Sequence, residues 1–505
     1  MLAPVNRLPL DVLCLIPMHL ASLSDRLRVT FVCRHWRRTF LQHATLWSQL
    51  DLTGDVDQLL LKTLLGRVKG SPLDITIADY YESPIYDVTL FSPFAQQIRS
   101  LELEDASWDE VQDLSVAMSG PLPFLRTLVI EAGEYLGGPD SLVASTHPLF
   151  KGAVDLEFFS LKVYKSPSLR HFTFPNLTTL DFSTSVIKYP VSELLDFLEA
   201  SPVLRRSRIR IEADRFREDV PPGRVIVLPY VKTFYLDIAS YGPGCEIATH
   251  ISCPFAKHVG FAHCYAGGNI PLVIYPLSTP WNTTAHQYTK GTVERVEFEM
   301  TMDEDFNIDC SITFRSSDGA TLKLCYAHRT FNMEYEIKEI LEERLPGIFS
   351  QAFQTIQDHP LLANVKHLSI RGGNVVTHNL EPITSAIGRL LGSMGPLENL
   401  TLDNCDLRPY LDAFLDTPLF PEAIQPASFP PIKELAIIDP VQSFYYDEVY
   451  SAAIVKLARS QHAKGVLFER VDHHAIVLPL VVDEPAAFVN TVEWYDDTLS
   501  DEDES

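Results

Sequence analysis

The sequence predicts an α/β chain: a short N-terminal module of three helices, then an irregular solenoid of stacked helix-strand units interrupted by an inserted hairpin. Three observations carry this expectation. A Leu-x-x-Leu-x-Leu pattern recurs along the body at a near-constant period, helical spacing fills gaps between its copies, and the first fifty residues differ from the rest in charge. The chain has 505 residues and a formal net charge of −25, yet within residues 1–50 six arginines face two aspartates, a local +4. Such a sign change suggests a small module and a large body that meet different partners. The overall acidity argues against nucleic-acid binding.

The module comes first, and residues 7–50 read as its three helices. Pro9 can open the first, with Val12, Leu13, Ile16 and Leu20 on one side, and Pro17 bends it or ends it early. Ser24 fits an N-cap for the second helix, whose Leu27, Phe31 and Val32 are expected to face inward. The third carries Trp36 and Phe40, and Leu46 and Trp47 fold back on the bundle. A segment this small buries little surface, so it needs a partner or the adjoining body.

The body repeats. The pattern appears as Ile98/Leu101/Leu103, Leu125/Leu128/Ile130, Leu156/Phe159/Leu161, Leu177/Leu180/Phe182, Leu204/Ser207/Ile209, Val231/Phe234/Leu236 and Ala256/Val259/Phe261. It returns as Val293/Val296/Phe298, Val365/Leu368/Ile370, Leu397/Leu400/Leu402 and Ile432/Leu435/Ile437. Between middle positions, the steps 101 to 128, 180 to 207 and 207 to 234 are each 27 residues, and 234 to 259 is 25. These fall inside the roughly 20 to 29 residues of a leucine-rich repeat. Any one copy could be an ordinary strand of an α/β domain; recurrence at a steady period favours the solenoid. Parallel strands need crossovers, and Val191, Leu194, Leu195 and Leu198 have helical spacing, as do Ile383, Ile387, Leu390, Leu391 and Met394. Pro202 and Gly395-Pro396 stop those helices before the next strand.

Two steps are too long, and they mark an irregular insert at about residues 262–350. Inside it, Ile312/Phe314 and Leu322/Leu324/Tyr326 alternate around the turn Ser316-Ser317-Asp318-Gly319, which predicts an antiparallel hairpin. Ile337, Ile340, Leu341 and Leu345 predict an extra helix beyond it. The expected division is therefore a module at 1–50, a solenoid at 51–480 and a C-terminal segment at 481–505. That segment ends in the acidic run Asp496, Asp497, Asp501, Glu502, Asp503 and Glu504, too polar to bury and expected to be disordered.

Chemical motifs are sparse. Eight cysteines form no CxxC pair and follow no secretory signal, which fits a reducing compartment, cytoplasmic or nuclear. The apolar run Ala475 to Val482 is too short to span a membrane. Asp472-His473-His474 suggests a metal site weakly, because adjacent histidines on a strand point to opposite faces. Cys245, Cys253 and Cys264 cluster with His250, His258 and His263, but at spacings that match no common zinc pattern; small buried thiols are the expected reading. Phosphate-cradling loops and nucleophile elbows are absent from the sequence. No catalytic residue, metal or cofactor is expected.

Residues 7–50 also carry a recognisable set of types at fixed offsets: Leu8-Pro9, Val12-Leu13, Ile16, Leu27, Val32-Cys33-Arg34, Trp36-Arg37 and Leu46-Trp47 before Leu50-Asp51-Leu52. This stretch resembles the F-box. Asp11, where Glu is commoner, and Pro17 depart from the pattern. With its leucine-rich body, the chain is similar to the F-box proteins numerous in mushroom-forming fungi. The resemblance implies a substrate receptor of a Skp, cullin and F-box type ubiquitin ligase, with the F-box docked on Skp and the repeat body holding an unknown protein substrate. Skp contacts are expected from Leu8, Pro9, Val12, Leu13, Ile16, Leu20, Leu27, Val32, Cys33 and Trp36, and most firmly from the exposed apolar stripe of the first helix.

Such a receptor acts by proximity and performs no chemistry itself. No Gly/Ser-rich linker separates Trp47 from the array, so module and body are expected to be held in a fixed relation. The strand faces offer Glu102, Glu104, Glu131, Asp181, Asp237, Glu297, Glu299 and Asp403 beside the repeat positions, which suits a substrate with a basic patch. Two alternatives stay open: a Skp-binding scaffold without a degradation role, and an enzyme fused to an F-box with room only in 262–350.

Overall fold

A computed structural model describes residues 12–13, 19–20, 22–53, 57–78, 87–132, 149–165, 167–186, 190–213, 224–240, 247, 250–265, 293–302, 308–328, 360–372, 387–392, 394, 397–403, 432–438, 459, 470–474 and 492–494. The expected helix at Ile337, Ile340, Leu341 and Leu345 and the acidic tail lie outside the described residues, as do Leu8, Pro9, Ile16 and Pro17. The chain divides into two compact units, Met1–Phe234 with His250–Phe255, and Tyr235–Thr249 with Ala256–Ser505. No described helix is long and apolar enough to cross a membrane.

The first unit opens with α1 (Leu23–Val29) and α2 (Arg34–Gln42). The cap of α1 is Ser22, whose hydroxyl accepts from the Asp25 amide at 3.0 Å; Ser24, the residue expected there, lies inside the helix. A short 3-10 turn, Ala44–Trp47, then buries Leu46 and Trp47, and the indole of Trp47 donates to the Phe40 carbonyl at 2.9 Å. Two residues later the chain enters β1 (Gln49–Thr53), followed by α3 (Gln58–Leu65) and β2 (Leu73–Ala78). The remaining rungs are β3 (Ile98–Glu104), α4 (Trp108–Ala117), β4 (Thr127–Ala132), β5 (Phe158–Lys165), β6 (Thr179–Val186), α5 (Val191–Glu199) and β7 (Arg206–Ala213).

All seven strands run parallel, each paired with the next, and their register follows the sequence repeat. The middle positions Leu50, Ile75, Leu101, Leu128, Phe159, Leu180 and Ser207 stand opposite one another rung by rung. Every one of them is buried. A shift by one residue would turn each strand's apolar set outward, so burial of this face specifies the register. Where the strands start, a backbone ladder adds a second lock. The amides of Glu157 and Phe158 both reach the Arg126 carbonyl, those of Thr178 and Thr179 the Glu157 carbonyl, and those of Arg205 and Arg206 the Thr178 carbonyl.

The connecting layer departs from a uniform helix per unit. Val191, Leu194, Leu195 and Leu198 of α5 are buried as their spacing requires, and α4 starts in a capping box of Ser107 and Glu110. Between β5 and β6, however, the chain makes only a 3-10 turn, Leu169–His171. Too few residues connect those strands for a full helix, and Phe172 and Phe174 fill the layer instead, packed tilted and edge-on against Phe159 at 5.1 and 5.0 Å. After β7 the connection holds β8 (Ile226–Val227), which pairs with β10 (Ile251–Ser252). Strand β9 (Thr233–Ser240) carries the chain from the first unit into the second.

In the second unit β11 (His258–Tyr265), β12 (Val293–Met302), β13 (Ile308–Ser316) and β14 (Thr321–His328) precede β15 (His367–Gly372), β16 (Asn399–Asp403), β17 (Glu434–Ile438), β18 (Arg470–His474) and β19 (Val492–Trp494). The hairpin of β13 and β14 forms around the predicted turn, with Gly319 at φ +81 and its amide donating to the Ser316 carbonyl. It does not hang off the array. Strand β14 pairs in parallel with β11 and β13 pairs antiparallel with β12, so the insert adds two rungs in the plane of the sheet. From β12 the parallel order resumes, with Val296, Leu368, Leu400 and Leu435 in register.

Candidate partner-docking surfaces

The N-terminal module has a buried and an exposed apolar set, and they differ from expectation. Trp36 packs edge-on against Phe40 at 5.3 Å and is 7 % exposed, and Leu13 is fully buried. Both were expected among the Skp contacts, and both are buried in the module. Conversely, Phe31 and Val32 were expected to face inward and are 71 % and 56 % exposed. The reason is local. Helix α1 ends at Val29 with Thr30 as its cap, so Phe31 and Val32 fall in the turn before α2, where Arg37 lies over the Phe31 ring at 5.4 Å. Val12 is exposed at 43 %, while Leu20, Leu27 and Cys33 are half-buried. Cys33 caps α2, its sulfur accepting from the Trp36 amide.

Sequence reading passed over Arg26. Its side chain is buried, and its guanidinium donates to the carbonyls of Leu46 at 3.3 Å and Gln49 at 2.6 Å. Desolvation lowers its pKa from the ordinary value, partly offset by Asp51. Arg26 thereby fastens α1 to the start of β1, the first rung of the array. No local sequence signal marks it, because its acceptors lie 20 and 23 residues away.

The expected acidic residues all lie half-buried on the outward strand face, and they fall into two groups. In the first unit Glu102, Glu104 and Glu131 gather near Asp51 and Asp105. Desolvation, and then Glu131, Glu102, Asp105 and Asp51 in turn, raise the Glu104 carboxyl above its ordinary value. Lys162 meets Glu131 at 2.6 Å. Further along the same face the sign changes: Asp181 stands opposite Arg208 on β7, whose Arg206, Arg208 and Arg210 alternate with the inward residues Ser207 and Ile209. The alternation Arg-Ser-Arg-Ile-Arg was visible in the sequence as this signal.

In the second unit Asp237 lies on β9, and Glu297, Glu299 and Asp403 border a recess of about 260 Å³ with Ser369 and Arg371. These three are bridged by arginines. Arg315 grips Glu297 through two hydrogen bonds of 2.9 Å, and Arg371 reaches Asp403 at 2.6 Å and Glu299 at 3.7 Å. Both guanidiniums are held charged by those carboxylates. The recess is thus polar and internally compensated, whereas the group around Glu104 keeps a net negative field beyond what Lys162 offsets.

Burial pushes the Cys253 thiol up, so at neutral pH it is a protonated, fully buried group. The side chains of Cys245 and Cys264 lie outside the described residues, as do those of Asp472, His473 and His474, which the backbone places on β18.

The family model for F-box-like domains matches residues 5–53, so the match ends with the last residue of β1. No curated protein matches the chain. Among solved structures, the crystal structure of Listeria monocytogenes InlP aligns at 14 % identity over 57 % of this chain and 90 % of that one, with a TM-score of 0.22.

Proposed function

We propose that this chain, which carries an F-box-like domain, is the substrate-receptor subunit of a Skp, cullin and F-box type ubiquitin ligase acting in the cytoplasm or nucleus. F-box domains bind Skp proteins generally, and here the exposed Val12, Phe31 and Val32 supply apolar contact surface on a module that buries Leu13, Leu23, Trp36, Phe40, Leu46 and Trp47. This observation carries the reading, because exposed apolar clusters on small modules mark interfaces. The array, a leucine-rich-repeat-like solenoid, holds the protein substrate. The chain contributes no catalytic group; it keeps a substrate lysine near a ubiquitin thioester held elsewhere in the complex. A basic substrate surface fits the field around Glu104, and its association slows as salt screens that field.

The test is direct binding of purified Skp to the intact chain. Phe31→Asp with Val32→Asp is expected to weaken it by more than about tenfold, since losing two central anchors costs roughly 2–5 kcal/mol. Leu8→Ala with Ile16→Ala is expected to act likewise. Unchanged affinity in both variants removes the interface assignment. Substrate-dependent ubiquitination that needs the F-box-like domain and the array together separates a receptor from a Skp-binding scaffold without a degradation role.

A further inference from the structure

At the edge of the first unit where its strands begin, Arg99 and Arg126 have acidic partners, and one later stretch has cations without them. The residue ahead of a rung accepts one or two amides from the next rung through its carbonyl, so these residues stack in a column. Elsewhere the charged residues named in this column have partners: Arg99 pairs with Asp74 at 2.5 Å and its column neighbour Arg126 with Glu157 at 3.4 Å, and within the second unit Glu294 pairs with Lys366 at 3.5 Å and Glu398 with Lys433 at 3.8 Å. Arg205 and Lys232 are also neighbours, because the Lys232 amide donates to the Arg205 carbonyl at 2.7 Å. Here two exposed cations face each other across one rung, with exposed Arg206 beside them. None of the three side chains has an ion pair among the described residues. Like charges one strand apart repel.

Apolar side chains accompany them. Val203, Tyr230 and Phe255 each stand one residue ahead of the first apolar position of their repeats and are 36 %, 58 % and 61 % exposed. The register of β8 with β10 pairs Val227 with Ser252, which brings the turns holding Tyr230 and Phe255 side by side. Val227 is itself 59 % exposed. Pro202, Pro229 and Pro254 precede the three residues, and each ring fixes its own φ, so the turns present these side chains with little freedom left to lose. On the two preceding rungs the same place holds Asp155 and Asn176. The apolar run therefore coincides with the unpaired cations.

We propose that this edge docks an acidic protein segment whose carboxylates meet Arg205, Arg206 and Lys232 while its aromatic or aliphatic side chains cover Val203, Tyr230 and Phe255. Charge complementarity selects the occupant. An anionic segment turns the repulsion between Arg205 and Lys232 into attraction, and the apolar run gives it anchors that a bare polyanion lacks. Nucleic acid fits less well, since three cations on a chain of net charge −25 leave a phosphate backbone largely opposed. The edge is distinct from the outward strand face around Glu104, which suits the opposite sign.

Fluorescence anisotropy on the intact chain tests this, using a short labelled peptide of Asp and Glu punctuated by Phe and Leu, and a counterpart with Lys in place of the acids. The acidic peptide is expected to bind, and Arg205→Glu with Lys232→Glu is expected to weaken it at least about tenfold while admitting the Lys peptide. Tyr230→Ser with Phe255→Ser is expected to weaken the acidic peptide without reversing the preference. All four side chains are exposed, so thermal unfolding is expected to stay at the wild-type temperature; should the reversal unfold the chain, Arg205→Gln with Lys232→Gln gives the same reading with a smaller loss. Equal binding of both peptides by the wild-type chain overturns the proposal. So does tighter binding of a single-stranded oligonucleotide than of the acidic peptide, or self-association of the wild-type chain that the reversal abolishes without any peptide binding.

Discussion

Ser207 interrupts a column of six buried apolar residues, and its hydroxyl is 1 of the few buried side-chain groups without a hydrogen-bond partner among the described residues. An unpaired buried hydroxyl costs stability and returns nothing in packing. Ser207→Ala is expected to stabilise the chain by about 1 kcal/mol, read as a higher midpoint of thermal unfolding. Glu104 offers a second test with a pH signature. Its carboxyl is raised in the fold, so between its ordinary value of 4.5 and the raised one the folded chain keeps a proton that the unfolded chain releases. Stability from this group therefore falls as pH rises through that window, and the penalty is complete above it. Glu104→Gln is expected to raise the unfolding midpoint at neutral pH and to lose that advantage below 4.5.

At the scale of elements, the array's register was legible because a period-two pattern of apolar residues repeats along many strands, and the Leu-x-x-Leu-x-Leu copies of β3 to β7 and of β12, β15, β16 and β17 stand in the expected alignment. The elements between strands were less legible. A run such as Phe172 and Phe174 fills the outer layer without helical spacing, and no local signal shows that β13 and β14 slot between β11 and β12, since that depends on which distant strands pair. In the module, nothing like Gly or Pro marks the end of α1 at Val29, so Phe31 and Val32 were read as a helix face. The opening rung is absent from the sequence repeat because Leu50-Asp51-Leu52 is too short to stand out. Gly152 was silent too, yet a Cβ there would overlap the Gly120 carbonyl oxygen and the Leu122 backbone, in the turn where the Leu122 amide donates to the Gly152 carbonyl. Gly152→Ala is expected to lower the unfolding midpoint by the equivalent of about 1–3 kcal/mol, as overpacking against backbone does.

For the whole molecule, the F-box-like match and the array overlap. Residues 49–53 belong to both, and Arg26 ties the helices to that shared strand. Arrays of stacked rungs need a covered end, and an open strand edge is a template for pairing with another chain. Removing residues 1–53 is expected to yield aggregates by light scattering, whereas a monodisperse product with the wild-type unfolding midpoint would show that the array closes its own end. The overlap has a consequence for the life of the protein in the cell. The handle by which the chain is carried is also the stopper of its stack, so a copy that loses the handle to proteolysis uncorks itself. Under the proposed receptor role, decapitated copies are then expected not to hoard cargo that they are unable to deliver, and to become waste themselves.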